Sequence, residues 1–265
     1  MPVAIFSQAL SGLAAHGSVI QALVYRDLQA RYARAGLGWS WIFLQPILQM
    51  VVFTVLRGIL GIADSGGMSL VIFLYCGLLP WNFLTSSING ASPSIFGNAG
   101  LIKKTAIARE VFPVSAVLAA LVDLCVGLMV LAALMAWFAV PVTWNLLWLP
   151  VLIGVAILLS LSIGLLAAAV APFRGDVHLA IPHLTQMWMF LTPLFYSSDR
   201  VPSGLRSVLT FNPAVGLVEG FRNVVGAGTP PELLPLAWTV VFSLLTLVVS
   251  WPVFRRMSRY FADVL

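Results

Sequence analysis

Five residues at steps of three and four, His183, Gln186, Phe190, Pro193 and Ser197, share one face of a helix, within an arc of roughly 80° at ~100° per residue. Gln45 and Gln49 stand four residues apart with Trp41 one turn before them, a second strip of amides and an aromatic ring. Both strips lie inside long apolar runs, where polar groups are costly and face a bundle interior or a water-filled path. Carboxamides and hydroxyls can exchange hydrogen bonds with a hydrated, sugar-like ligand whose apolar faces lie on the rings; interhelical hydrogen bonding is the competing use of the same side chains. Asp123 and Arg57 also fall inside apolar runs, and each needs a partner or water.

None of these groups is arranged for covalent chemistry. Lys103 and Lys104 are the only lysines, and neither sits in the frame of a Gly-x-x-x-x-Gly-Lys-Ser/Thr phosphate cradle. Asp-x-Asp, His-Glu-x-x-His and Gly-x-Ser-x-Gly are also missing from the sequence. The chain is therefore expected to be no enzyme and to bind no metal or cofactor of its own.

The elements that must carry the strips follow from composition: 60% of the 265 residues are hydrophobic and 9% charged, with a mean hydropathy of +1.01. A helix needs about 20 apolar residues to cross ~30 Å of hydrocarbon. Six runs qualify, at 39–62, 69–89, 111–138, 147–171, 178–196 and 233–254. Backbone amides in lipid must be satisfied internally, so the runs read as helices; a barrel would show short alternating segments instead. The expectation is an all-α polytopic membrane protein, residues 1–265 forming a single transmembrane domain with six transmembrane helices.

Basic residues mark the cytoplasmic side. With both termini inside, Arg26, Arg31, Arg34, Lys103, Lys104, Arg109, Arg174, Arg255, Arg256 and Arg259 are cytoplasmic, whereas Arg200, Arg206 and Arg222 lie outside. The net charge of +5 then reflects anchoring to anionic lipid, and nucleic-acid binding explains it poorly. No basic residue precedes Arg26, so the N-terminal stretch is not expected to be a cleaved signal peptide. Cys76 and Cys125 fall within runs and read as small buried hydrophobes, and most of the nine tryptophans read as belt residues near span ends.

Three segments lie outside the lipid core. Residues 18–35 set Val19, Leu23, Val24 and Leu28 against Arg26, Gln29, Arg31 and Arg34, an amphipathic helix along the cytoplasmic surface that either anchors the chain or also frames a groove for a partner. Residues 98–110 join apolar Leu101, Ile102 and Ile107 to basic Lys103, Lys104 and Arg109, which suits either a short helix entering a protein cleft or a solvated loop. The outer segment 200–228 holds two helical patches, 203–210 and 213–225, each too short to cross, consistent with a re-entrant pair. Asn212 and Pro213 form a helix start, and Glu219 and Arg222 can pair at i, i+3. A structural clamp and a gate both fit.

Tyr25-Arg26-Asp27-Leu28-Gln29-Ala30-Arg31-Tyr32, Gly36-Leu37-Gly38-Trp39-Ser40-Trp41 and Leu44-Gln45-Pro46 resemble the entry to the first span of polysaccharide-export ABC transporter permeases. Gly77-Leu78-Leu79-Pro80-Trp81-Asn82-Phe83, Asn98-Ala99-Gly100-Leu101-Ile102-Lys103-Lys104, Val111-Phe112-Pro113, Leu121-Val122-Asp123 and Asn212-Pro213 through Glu219-Gly220-Phe221-Arg222 continue the likeness in order along the chain. A departure is Thr105-Ala106-Ile107-Ala108, where the family more often has an aromatic-Pro stretch. The resemblance implies a homodimer with two copies of a cytoplasmic ABC ATPase that carries the ATP and Mg, exporting lipid-linked O-antigen, capsule or teichoic-acid polymers across the bacterial inner membrane. It makes 98–110 the coupling helix and 18–35 the interface helix, and it lines the channel with the first and fifth spans. Arg26, Arg31 and Arg34 become candidates for the lipid-pyrophosphate entrance, and Asn212, Pro213, Glu219 and Arg222 become the re-entrant gate. Twelve arginines against two lysines lean toward a high-GC Gram-negative source and an O-antigen cargo. A small-molecule export permease would share the fold but favour an apolar cavity.

Overall fold

A computed structural model describes residues 16–33, 36–59, 68–105, 107–196, 198, 204 and 209–265, the side chains of Pro46, Phe53, Leu56 and Arg57 excepted. Arg34, Ser197, Arg200, Arg206 and most of the outer patch 203–210 lie outside the described residues. Among those described, every regular element is helical: α1 Gly17–Tyr32, α2 Trp41–Ile59, α3 Leu70–Ala91, α4 Ala99–Lys104, α5 Val111–Trp137, α6 Leu149–Val170, α7 Asp176–Phe190, α8 Val215–Phe221, α9 Leu233–Ser258 and α10 Phe261–Val264. Among the described residues four helices are long and apolar enough to cross a membrane: α3, α5, α6 with its leading turn (Trp144–Val170) and α9.

Of the expected spans the fifth is the short one, and the first is described only as far as Ile59. Helix α2 has 19 residues, entered through a tight turn that holds Gly38 at φ +54°, where a Cβ would be strained. Helix α7 has 15 and stops at Phe190, short of the expected run to residue 196. Pro193 explains the stop, because it lacks an amide donor and its ring collides with the carbonyl one turn back.

Helix α3 is the hub, buried on almost every side and packed against α2, α5, α6, α7 and α8. Its Tyr75, Leu79, Phe83 and Ile88 meet Leu124 and Leu131 of α5, Leu152 and Leu159 of α6, and Leu217 and Phe221 of α8 in one core. Small residues let the backbones approach, as in membrane helix pairs generally. Leu79 fills the place a Cβ on Gly127 would take, and the Tyr75 hydroxyl donates to the Gly127 carbonyl at 3.1 Å.

A second cluster defines the basic end. Ile95, Ile102, Val111 and Phe112 close there on Leu23 of α1, Leu165 and Ala168 of α6, Phe254 of α9 and Phe261 of α10. The apolar face of helix α1, expected to lie along the cytoplasmic surface, packs on the bundle. The helix climbs α5, with Leu23 near Phe112 and Tyr32 bonded to Asp123, a stretch of about 16 Å at ~1.5 Å per residue. Its apolar face is thus spent on the bundle. Cys76 is buried as expected, but Cys125 is exposed on the outward side of α5. Trp137 and Trp144 are exposed belt-like rings, while Trp81 is buried and stacked edge-on to Trp188 at 5.5 Å, a core residue.

Candidate functional site

Helices α2, α3 and α5 and the end of α1 enclose a cavity of about 770 Å³. From α2 come Trp41, Gln45 and Gln49, the first strip read from the sequence. From α3 come Asn82, Thr85, Ser86 and Asn89, which the sequence reading did not single out although their spacing of i, i+3, i+4, i+7 marks one helical face. Asn82 donates to Gln49 at 2.8 Å, so the two amide rows are bonded into one wall. Thr85 bonds back to its own helix at 3.0 Å. Among the described residues Gln45 and Ser86 have no hydrogen-bond partner and remain free for a ligand.

The charged corner of the cavity resolves the question of Asp123. Arg31 pairs with it at 3.0 Å, and the Tyr32 hydroxyl donates to its other oxygen at 3.1 Å. Burial, and then the adjacent carboxylate, push the Tyr32 hydroxyl up to about 12, so it stays a donor. Arg31 therefore faces the cavity, as an entrance cation would, but already holds a carboxylate. Arg26 is engaged elsewhere, with Asp27 at 2.7 Å and with Asn98 at 2.6 Å.

The second strip is not part of this cavity. His183, Gln186 and Phe190 are exposed on the outward face of α7, and Pro193 lies beyond the helix end. Helices α2 and α7 both pack on α3, with no extensive contact between them. The link from α7 to the cavity is Thr185, whose hydroxyl lies 3.3 Å from Asn89 Oδ1.

The coupling segment shows a reversal of sides. Ile102 is 4% exposed and enters the basic-end cluster, with Leu101 and Ile107 packed beside it, so these side chains serve this chain's own core. The exposed residues are Gly97, Gly100, Lys103 and Lys104, and nothing lies within 4 Å of a Cβ built on either glycine. The segment is tied at both ends, by Arg26 to Asn98 and by Arg255 to Glu110 at 3.2 Å. Arg109 is half-buried.

At the opposite end α8 is buried against α3, α6 and α9. Asn212 Oδ1 accepts from the Ala214 amide at 3.0 Å, the expected capping chemistry, but the helix starts at Val215, leaving Pro213 in the turn before it. Asn212 also accepts from Trp188 Nε1 at 2.9 Å and donates to Thr192 at 3.0 Å. Glu219 accepts from the Ser198 hydroxyl. Arg222, 4% exposed, donates to the carbonyls of Phe73 at 3.3 Å, Pro193 at 2.5 Å and Leu194 at 2.6 Å. The broken end of α7 is thereby capped by a guanidinium, and Gly77 leaves the space for it. A π turn, Arg222–Ala227, follows and closes at Gly228 with φ +66°.

The chain is similar to curated transport proteins along almost its whole length. It is 28% identical to the O-antigen export system permease protein RfbA of Myxococcus xanthus over 244 residues, 91% of this chain and 93% of that one. It is 25% identical to RfbA of Klebsiella pneumoniae over 91% and 92% of the two chains. With the polysialic acid transport protein KpsM of Escherichia coli it shares 27% over 95% and 98%. The profile of the ABC-2 type transporter family matches residues 18–225. A polar cavity set among apolar helices suits a transport subunit, and the chain belongs to the ABC-2 type transporter family.

Proposed function

We propose that the chain is the permease subunit of an ATP-driven exporter of a lipid-linked polysaccharide, with O-antigen as the polymer, in the bacterial inner membrane. Two copies form a homodimer, each bound to a cytoplasmic ABC ATPase that holds ATP and Mg. Each copy contributes six spans, α2 and α7 among them, with both termini cytoplasmic.

The amide-lined cavity carries this reading. Its free Gln45 amide and Ser86 hydroxyl and the Trp41 ring suit sugar hydroxyls and apolar sugar faces, where a drug exporter would favour apolar walls. The names of the relatives support a polymer cargo. The exposed His183, Gln186 and Phe190 strip supplies the facing wall from the second copy, which explains polar groups on an outward surface of a lipid-embedded helix. Arg26, Arg31 and Arg34 receive the pyrophosphate end of the carrier, Arg31 turning away from the Asp123 carboxylate to do so. The ATPase docks on the Gly97, Gly100, Lys103 and Lys104 face, and its closure tilts the coupling segment through the Arg26–Asn98 and Arg255–Glu110 ties. The segment with Asn212, Pro213, Glu219 and Arg222 shuts the outer end and moves as one rigid piece.

Co-expression with the neighbouring ATPase, purification through a tag on this chain and polymer export from reconstituted vesicles test the reading. Wild type retains the ATPase, Gly100→Trp with Lys104→Glu releases it, and Asn82→Leu with Gln45→Leu keeps the ATPase while losing export. Wild type that never retains an ATPase sinks the proposal.

A further inference from the structure

We propose that the groove between α6 and α7 seats one acyl chain of a phospholipid with an amino headgroup, its phosphate on Arg174 and its ammonium on Asp176. The groove has a volume of about 470 Å³, with Ala167 and Val170 of α6 on one wall, Val177, Ile181 and Leu184 of α7 on the other, and Ile88 of α3 at its base. Its two polar wall residues are already engaged. Thr185 bonds to the Pro182 carbonyl at 2.9 Å, and Trp188 Nε1 donates to Asn212 at 2.9 Å. A sugar would find no partner there; a hydrocarbon chain needs none.

Depth and charge select the lipid. From Val177 to Trp188 the wall rises about 16 Å at ~1.5 Å per residue, close to half of a ~30 Å hydrocarbon layer, hence the depth of one leaflet. The tight turn at 171–175 joins Val170 on one wall to Val177 on the other and so borders the mouth of the groove, with Val177 N bonded to Arg174 O at 3.0 Å. That turn lies at the basic end, because Leu165 and Ala168 of α6 pack there with Val111 and Phe254. Arg174 and Asp176 are both exposed, and among the described residues neither side chain makes a hydrogen bond or an ion pair. Opposite charges two residues apart at the mouth of a leaflet-deep groove match a zwitterionic headgroup with N–H donors. An anionic headgroup, or the pyrophosphate of a polymer carrier, meets the Asp176 carboxylate, and a carrier's much longer chain exceeds the groove.

The proposal rests on the reading above only in placing these helices in a bilayer. Its test uses the full chain as purified, with or without a bound ATPase, delipidated in detergent and equilibrated with phosphatidylethanolamine, phosphatidylcholine or phosphatidylglycerol of identical acyl chains, with retained lipid counted by native mass spectrometry. Wild type should retain phosphatidylethanolamine over the other two by about two- to fivefold, the scale of an exposed ion pair. Asp176→Asn should erase its preference over phosphatidylcholine, Arg174→Gln should lower both, and Ala167→Phe should lower all three. Preference for phosphatidylglycerol in wild type overturns the proposal. So does unchanged retention in Ala167→Phe, including the case in which that variant separates the two copies because the groove is a subunit contact. The readout needs no transport: failed export with intact lipid preference counts against the permease reading alone.

Discussion

The two ends of the bundle are built on different principles. At the basic end the coupling segment is held by one apolar cluster and by side-chain pairs that are partly open to water, Arg26 with Asn98 and Arg255 with Glu110. At the opposite end the strongest ties run from the buried Arg222 and Thr239 side chains to main-chain carbonyls, Arg222 to three of them and Thr239 to Pro213 at 2.7 Å, with the half-buried Asn145 donating to Gly228 at 2.6 Å. Partly exposed pairs contribute ~0–1 kcal/mol each and exchange readily, whereas stripping donors from buried carbonyls costs ~1–3 kcal/mol per group. Under the proposed function, in which the basic end transmits motion and the opposite end seals the membrane, the first kind of tie suits the one and the second kind the other.

Arg222→Leu is the strongest way to break this contrast. Three buried carbonyls lose their donor at once, and the unfolding midpoint in detergent should fall by the equivalent of about 3 kcal/mol or more. Loss of that size puts Arg222 in the clamp; a stable variant that leaks polymer would restore a moving gate. Gly216→Ala comes next, at about 1–3 kcal/mol, because a Cβ there runs into the Pro235 carbonyl and the Thr239 hydroxyl, and a backbone atom cannot give way. The same thermal assay reads it, with the exposed Gly100→Ala as a control expected to change little.

Asp123→Asn tests the join between the two regimes. It removes the charge that holds Arg31 and leaves one carboxamide oxygen to accept from the Tyr32 hydroxyl, and interhelical hydrogen bonds in membranes average ~0.6 kcal/mol, so a loss of about 1 kcal/mol or less is expected. Hydrogen exchange should rise in α1, which leans on α5 there, and stay unchanged in α8. Equal protection in α1 of both proteins would mean that the Leu23 and Leu28 contacts hold the helix unaided.

Much of this was legible from residue type and spacing, and the misses have identifiable causes. The apolar runs of α3, α5, α6 and α9 and the Asn212 cap follow from length and side-chain chemistry alone. The α2 strip was found because Gln45 and Gln49 stand out in an apolar run, but Asn82, Thr85, Ser86 and Asn89 were masked by the large hydrophobes among them. Helix α7 was read too long because apolarity continues past Pro193, and hydropathy is blind to a missing amide. Leu101, Ile102 and Ile107 suit a cleft or a loop equally by composition, and nothing in the local sequence signals that Phe261 of α10 shares a cluster with Ile102. Which side of a short helix is buried depends on elements remote in sequence, and periodicity over six residues cannot supply that.

The smallest change in stability carries the sharpest test. Glu110→Gln leaves the Arg255 guanidinium without its anion, but the arginine is about one-third exposed and can turn to water, so the midpoint should move by no more than about 0.5 kcal/mol. If the basic end transmits ATPase closure through such ties, this variant should retain the ATPase and hydrolyse ATP as before while exporting less polymer per ATP, because α9 no longer follows the coupling segment. Unchanged export would leave the apolar cluster of Ile102, Phe112, Phe254 and Phe261 as the transmitting element. The ion pair would then only orient the segment, and the contrast between the two ends would be one of packing rather than of exchangeable charge.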